Sequence, residues 1–228
     1  MSIADDLAAL IATGTDNAAL FTAVLEKLAE IEANAVAHTL WVDPQLGDNS
    51  NDGRVPAAAK QTIGAAVAAT PVGSYCRVNL LGDYTMEANI QTGGRIIRTV
   101  GVDAAGVPAQ RLFNQTVAAG EARRLICGNG GAFFLANLDL MLTKTAITFG
   151  PTALVSGRLK TLFLLDCGVD VEDGATSVSV MGADGVATLE VDTVTALGDA
   201  LAGHWISGVS AGTDPATRGE IITNLATL

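Results

Sequence analysis

The chain has 228 residues, enough for one large domain or one domain with an extension. Of these, 49% are hydrophobic, 4% aromatic and only 16% charged, against roughly 25% charged in an ordinary soluble domain. A formal net charge of −11 and a pI near 4.4 repel phosphate backbones and anionic headgroups, which sets nucleic acid and membrane surfaces aside as partners.

No run approaches the ~18 uninterrupted apolar residues of a membrane span, so no membrane insertion is expected. The opening MSIADDL has no basic n-region and does not read as a signal peptide. A chain so rich in small apolar residues has much surface to cover, and homo-oligomer contacts are more apolar than ordinary surface. The three cysteines, Cys76, Cys127 and Cys167, are far apart and read as buried, reduced side chains. With only His38 and His204 beside them and no C-x-x-C pair, zinc-type spacing is missing. No metal and no cofactor are expected.

Residues 1–37 read as an α-helical stalk or anchor in two pieces. Ser2 can cap the first turn, and Gly14 ends the first piece. In the second, Phe21, Val24, Leu28, Ile31 and Ala35 recur at spacings of three, four, three and four, a coiled-coil-like seam. The seam lasts barely two heptads, so an amphipathic helix packed on its own domain is the other reading. Its wide apolar face suits three strands, and the expected assembly is a homotrimer.

Residues 38–74 read as a first strand, a loop and a capping helix. The strand holds Val42-Asp43-Pro44, the loop runs from Gly47 to Gly53, and Thr62-Ile63-Gly64-Ala65-Ala66 opens a helix over Lys60–Thr70. In that helix Ile63, Ala66 and Val67 share one face and would cover the end of whatever follows. The order of strand, Asx/Gly loop, small helix and a strand ending in Gly82-Asp83-Tyr84 resembles the first rung of right-handed parallel β-helix proteins of the pectin-lyase-like kind. Phage tail spikes and fibres are the nearest in pattern. The stretch covers about a fifth of the chain. The resemblance implies a mainly β fold, a short right-handed parallel β-helix behind an N-terminal α-helical segment, but a fold hosts many functions.

Over residues 75–200 the pattern is short β-forming runs separated by Gly, Asp and Asn. The runs are Cys76–Leu81, Arg95–Val100, Arg123–Cys127, Phe133–Leu142, Lys160–Leu165, Gly168–Val171, Ser177–Met181 and Val186–Leu197. A parallel solenoid and an antiparallel sandwich, the latter an adhesion module, both fit such runs. Hairpin signals are scarce; Gly128-Asn129-Gly130-Gly131 comes closest. Aligning Leu138, Val169 and Val194 gives spacings of 31 and 25 residues, inside the ~20–45 of stacked repeats. That favours the solenoid, at roughly five rungs and ~25 Å of stack. Residues 201–228, with His204-Trp205-Ile206 and an apolar finish, read as a C-terminal cap or a docking tail.

Two constellations could carry chemistry. Asp48, Ser50 and Asp52 spell the start of a calcium loop, but the twelfth position is Ala59 rather than Glu and no helices flank it. The plainer reading is an Asx turn. Glycan cleavage needs two carboxyls about 5–9.5 Å apart. Asp139, Asp166, Asp170, Glu190 and Asp192 could supply them from successive rungs, at ~4.8 Å if they occupy equivalent positions. A saccharide groove would add Trp, Tyr or Arg, yet beyond Tyr84 there is no further Tyr, the one Trp is Trp205, and Arg and Lys are few. Solvated outward carboxylates account for the same five residues, and no catalytic residue is assigned. A nucleophile elbow and a phosphate-binding loop with its helix are both missing.

The expectation is therefore a non-enzymatic virion component of a phage or gene-transfer particle. It would be a tail fibre, or a head-attached fibre or spike base, made in the host cytoplasm and partnered by other virion proteins. The alternative is a β-helix that binds or cleaves host surface glycan.

Overall fold

The structure, a computed structural model, describes residues 38–118, 120–142, 152–171, 178–197 and 201–228. The expected helical stalk and its seam, Phe21, Val24, Leu28, Ile31 and Ala35, lie outside these residues.

The described chain is mainly β, and its three large sheets are parallel throughout. The first sheet has seven strands: β1 (His38–Val42), β2 (Tyr75–Leu80), β5 (Ile96–Gly101), β10 (Ala132–Ala136), β13 (Leu159–Leu165), β16 (Val186–Asp192) and β18 (Ile221–Thr223). The second has five: β3 (Tyr84–Thr85), β6 (Arg111–Asn114), β11 (Leu138–Leu142), β14 (Gly168–Val171) and β17 (Thr195–Ala196). The third has four: β4 (Ile90–Gln91), β9 (Leu125–Ile126), β12 (Thr152–Ser156) and β15 (Val178–Met181). From β2 onward the chain visits first, second and third sheet in that order, round after round. A small antiparallel hairpin, β7 (Val117–Ala118) with β8 (Glu121–Ala122), interrupts one round. Parallel pairing removes the sandwich reading, which requires antiparallel sheets.

Alternation explains why these runs pair as they do. Successive strand residues point to opposite faces, and one face of each sheet turns into a shared core. One column of the first sheet runs His38, Cys76, Ile97, Phe133, Leu162, Leu189, Thr223, at intervals of 38, 21, 36, 29, 27 and 34 residues. Its five inner members are at most 1% exposed. The second sheet contributes Tyr84, Phe113, Leu140 and Val169, and the third Ile90, Leu125, Val155 and Met181, all buried. Burial of side chains of this size stabilises by about 1.5–3 kcal/mol each.

Two details correct the sequence reading. The alignment of Leu138, Val169 and Val194 is off by two: Leu140 pairs with Val169, and Val169 with Ala196. A slip of two keeps every side chain on its own face, so the hydrophobic pattern could not reveal it. The expected single runs Phe133–Leu142 and Val186–Leu197 each divide between two sheets. The divisions are at Asn137 and Thr193, and Asp166 occupies the same corner one round apart, with φ of 53°, 55° and 50°. One left-handed residue bends the chain from first sheet to second without a Gly or Pro to announce it.

The helix at the first end, α1 (Ile63–Ala68), is shorter than the expected Lys60–Thr70. Thr62 Oγ1 caps it by accepting from the Ala65 amide at 3.2 Å. Ile63, Ala66 and Val67 are buried against the core, while Gly64 faces outward with open space around it. At the other end the tail packs onto the same core through Leu201, Trp205, Ile206, Val209 and Leu228. Its segment His204–Ser207 bonds to β15, and β18 adds the last strand of the first sheet. Gly128–Gly131 is a bend from third to first sheet rather than a hairpin.

Candidate functional site

The loop after β1 illustrates how the chain uses its Asx residues. Asp48 accepts the Ser50 amide and hydroxyl, both at 2.8 Å, and these bonds hold its carboxyl below the usual carboxylate range. Asp52 accepts the Arg54 amide at 3.0 Å. The carboxylates are therefore turned to local backbone donors. Into the loop reaches Lys60, 6% exposed, whose Nζ donates to the carbonyls of Asn51 at 2.5 Å and Asn49 at 3.2 Å. A side-chain ammonium gathers the carbonyls that a bound cation would otherwise gather. Gly47 is needed because a Cβ there would lie 2.3 Å from the Lys60 carbonyl oxygen.

The five carboxylates considered for catalysis do not stack at equivalent positions, which corrects that expectation. The register places Asp139 opposite Gly168 and Asp170 opposite Met141. Asp139 and Asp170 thus share the outer face of the second sheet on a diagonal, with Cα atoms roughly 8 Å apart by strand geometry. Asp139 accepts from Gln110 Nε2 at 2.7 Å. Asp166 occupies the exposed corner, and Glu190 and Asp192 stand on the outer face of the first sheet. Burial, and then the Asp192 charge, raises the Glu190 pKa.

One hollow does lie on the outer face of the second sheet, with a volume of ≈ 440 Å³. Its floor is the outward column Thr85, Asn114, Met141 and Asp170, one residue from each of four successive strands. Gln115, Thr116 and Leu142 complete the lining. Asn114 Nδ2 lies 3.4 Å from Thr85 Oγ1, and Thr116 Oγ1 donates to the Met86 carbonyl. Gln115 is 3% exposed; its Nε2 donates to the Arg123 and Ala153 carbonyls at 2.8 and 3.2 Å, while its buried Oε1 has no partner among the described residues. Among the described lining residues Asp170 is the single titratable side chain. Such a surface can exchange hydrogen bonds with a polyhydroxyl ligand; the second acid on this face, Asp139, lies on the diagonal outside the lining and is held by Gln110.

The aromatic side chains considered for a sugar platform face inward. Tyr84 lies against Phe113 with ring centroids 5.4 Å apart and planes tilted by 30°, is 5% exposed, and has its pKa pushed up to about 12 by burial. Trp205 is 7% exposed within the C-terminal closure. His204 Nδ1 lies 2.8 Å from the Val178 carbonyl oxygen. All three thiols are free and buried, and among the described residues no three His, Cys, Asp or Glu side chains converge on a metal position.

Sequence reading missed the hollow because β6, Arg111–Asn114, has only one buried member, Phe113. Four residues with one inward apolar position leave almost no alternation to detect. No protein family, curated protein or solved structure matches the chain.

Proposed function

We propose that the chain is a structural virion component, a fibre or spike element of a phage or related gene-transfer particle. Its body is a right-handed parallel β-helix, the hand that ~98% of parallel crossovers take, and it assembles as a homotrimer. The observation that carries this reading is the cyclic order in which the strands visit three parallel sheets. Repeated rounds of one sheet give a stiff stack, ~29 Å long for seven strands at ~4.8 Å. Support also comes from the helix α1, which covers the first end as the resemblance of Leu40–Tyr84 to tail-spike and fibre proteins implies. A stiff stack closed at its ends suits presenting or anchoring a host-recognition structure.

Antibody against the chain, applied to purified particles in the electron microscope, is expected to label a projection on tail or head. Particles that carry no label, with the protein left in the soluble fraction, reject the reading. The trimer has its own test. Leu28→Asp puts a charge into the seam, where desolvation costs several kcal/mol per protomer, and light scattering is expected to show smaller species. A wild type that is monomeric at micromolar concentration removes the trimer.

The alternative, a β-helix that binds or cleaves host surface glycan, is favoured by the hollow at Asn114 and Asp170 and by the unpartnered Gln115 Oε1. Incubation with host capsule or lipopolysaccharide is expected to release no new reducing ends or unsaturated uronates. Release that Asp170→Asn abolishes would establish cleavage.

A further inference from the structure

The outer face of the first sheet carries an ordered sequence of side chains that its solvent exposure alone does not explain. Register places Arg77, Arg98, Phe134, Phe163 and Glu190 in one outward column on five successive strands. Phe134 and Phe163 stack in parallel, with centroids 4.2 Å apart and planes at 4°, and both stay partly exposed. Asp192 extends the acidic end along the same strand. The column therefore reads basic, aromatic, acidic from one end of the stack to the other.

Apolar side chains continue on either side. Leu159 is 61% exposed, Val186 39%, Leu165 36% and Ile222 51%. Elsewhere on this face the chain covers its own apolar positions. Trp41, Val100, Val102 and Ala136 form a separate cluster, the excursion between Val102 and Pro108 closes on itself, and Gly106 lies against the Trp41 ring.

We infer that this face pairs with the same face of a second copy of the chain, the two stacks running in opposite directions about a two-fold axis between Phe134 and Phe163. The symmetry follows from the order of charges. An isologous two-fold contact brings residue i against j and j against i. An axis lying along the strands midway between Phe134 and Phe163 sets each Phe134 against the partner's Phe163. It sets Arg98, one strand before, against the partner's Glu190, one strand after. Side-by-side copies in the same direction would instead bring Arg against Arg and Glu against Glu, a like-charge arrangement that specific interfaces avoid.

One further observation agrees. Glu190 Oε2 has no hydrogen-bond partner among the described residues, and a turn of this carboxyl outward would set it against the partner's Arg98 as a donor. This pairing is independent of the amino-terminal seam, since it uses a different surface and a two-fold rather than a three-fold axis.

The test is sedimentation of the full chain at micromolar concentration in low salt. Arg77→Glu with Arg98→Glu makes both ends of the face acidic; Glu190→Lys with Asp192→Lys makes both basic. Each variant alone is expected to show half the wild-type mass with an unchanged circular dichroism spectrum. An equimolar mixture of the two is expected to return to the wild-type mass, and 0.5 M salt to weaken all the pairing that remains. Leu28→Asp acts on the other axis and leaves the face-to-face pair intact, so the two modes of assembly fail separately. A wild-type mass that neither folded variant reduces, or a mixture that stays at half mass, overturns the pairing and leaves this face to a different partner.

Discussion

At the corner between the first and second sheets, one backbone conformation is met by three different side chains. Asn137, Asp166 and Thr193 all have φ near +50°. Asn and Asp tolerate this left-handed region because their short polar side chains bond locally, whereas a β-branched residue is strained there by about 1–3 kcal/mol. Thr193 recovers part of that through its hydroxyl bond to Asp192 Oδ1 at 3.0 Å. Replacing Thr193 by Asn is expected to raise stability by about 1 kcal/mol, read as a Tm increase of about 2–4 °C. An unchanged or lower Tm would mean that the hydroxyl bond outweighs the strain. Lys60 is the second residue to test. Lys60→Met keeps the stem but leaves the Asn49 and Asn51 carbonyls without their ammonium. The expected loss is about 1–3 kcal/mol by denaturant titration. In the sequence Lys60 is one cation in an Ala-rich stretch, and nothing at that position announces the loop it closes.

At the scale of elements, α1 and the strands differ in how legibly they were written. The helix announced itself through Ile63, Ala66 and Val67 on one face, but not its start: Thr62, read as lying inside it, is its cap. Ile63 is 1% exposed, so Ile63→Ala should cost about 2–5 kcal/mol. It should also promote aggregation, because an uncovered sheet end offers unpaired strand edges; thermal denaturation with turbidity reads both. Gly168–Val171 was legible to the residue because Asp166 precedes it and the polar Glu172-Asp173-Gly174 follows it in the sequence. The joins β10–β11 and β16–β17 were not, since the bend needs one left-handed residue and no Gly-Pro break. The short strands β3, β4 and β6 hold too few inward positions for alternation to register. The five carboxylates were found as residues but misplaced as a group, because a register slip of two leaves alternation untouched while moving every outward neighbour.

At the scale of the molecule, titration behaviour follows from what the core encloses. Burial pushes up the thiols of Cys76 and Cys127, raises Cys167 from 9.0 to about 11, and raises Tyr84 from 10.0 to about 12. Each group keeps its proton in the folded chain to a higher pH than in the unfolded one. Stability from these groups is therefore full below pH 9 and lost as pH rises from about 9 to 12. Lys160 acts in the opposite sense. It is 1% exposed, bonded to the Gly157 and Asp184 carbonyls, and burial disfavours its charged form. Rising pH just below 10.5 relieves that burden, but one group faces four. Tm is expected to fall steadily above pH 9, with a shallower fall in Cys167→Ala; equal slopes in the two proteins would remove the account.

The unequal intervals along the column from His38 to Thr223 have a mechanical consequence. In all three sheets the interstrand hydrogen bonds join one round to the next, so tension along the stacking direction loads them as links of one chain. Rounds would then detach singly from an end, each releasing between 21 and 38 residues, or roughly 70–130 Å of slack at ~3.5 Å per residue. Held between residues 38 and 228 in an optical trap, the protein should lengthen in a staircase whose uneven treads follow the order of its rounds.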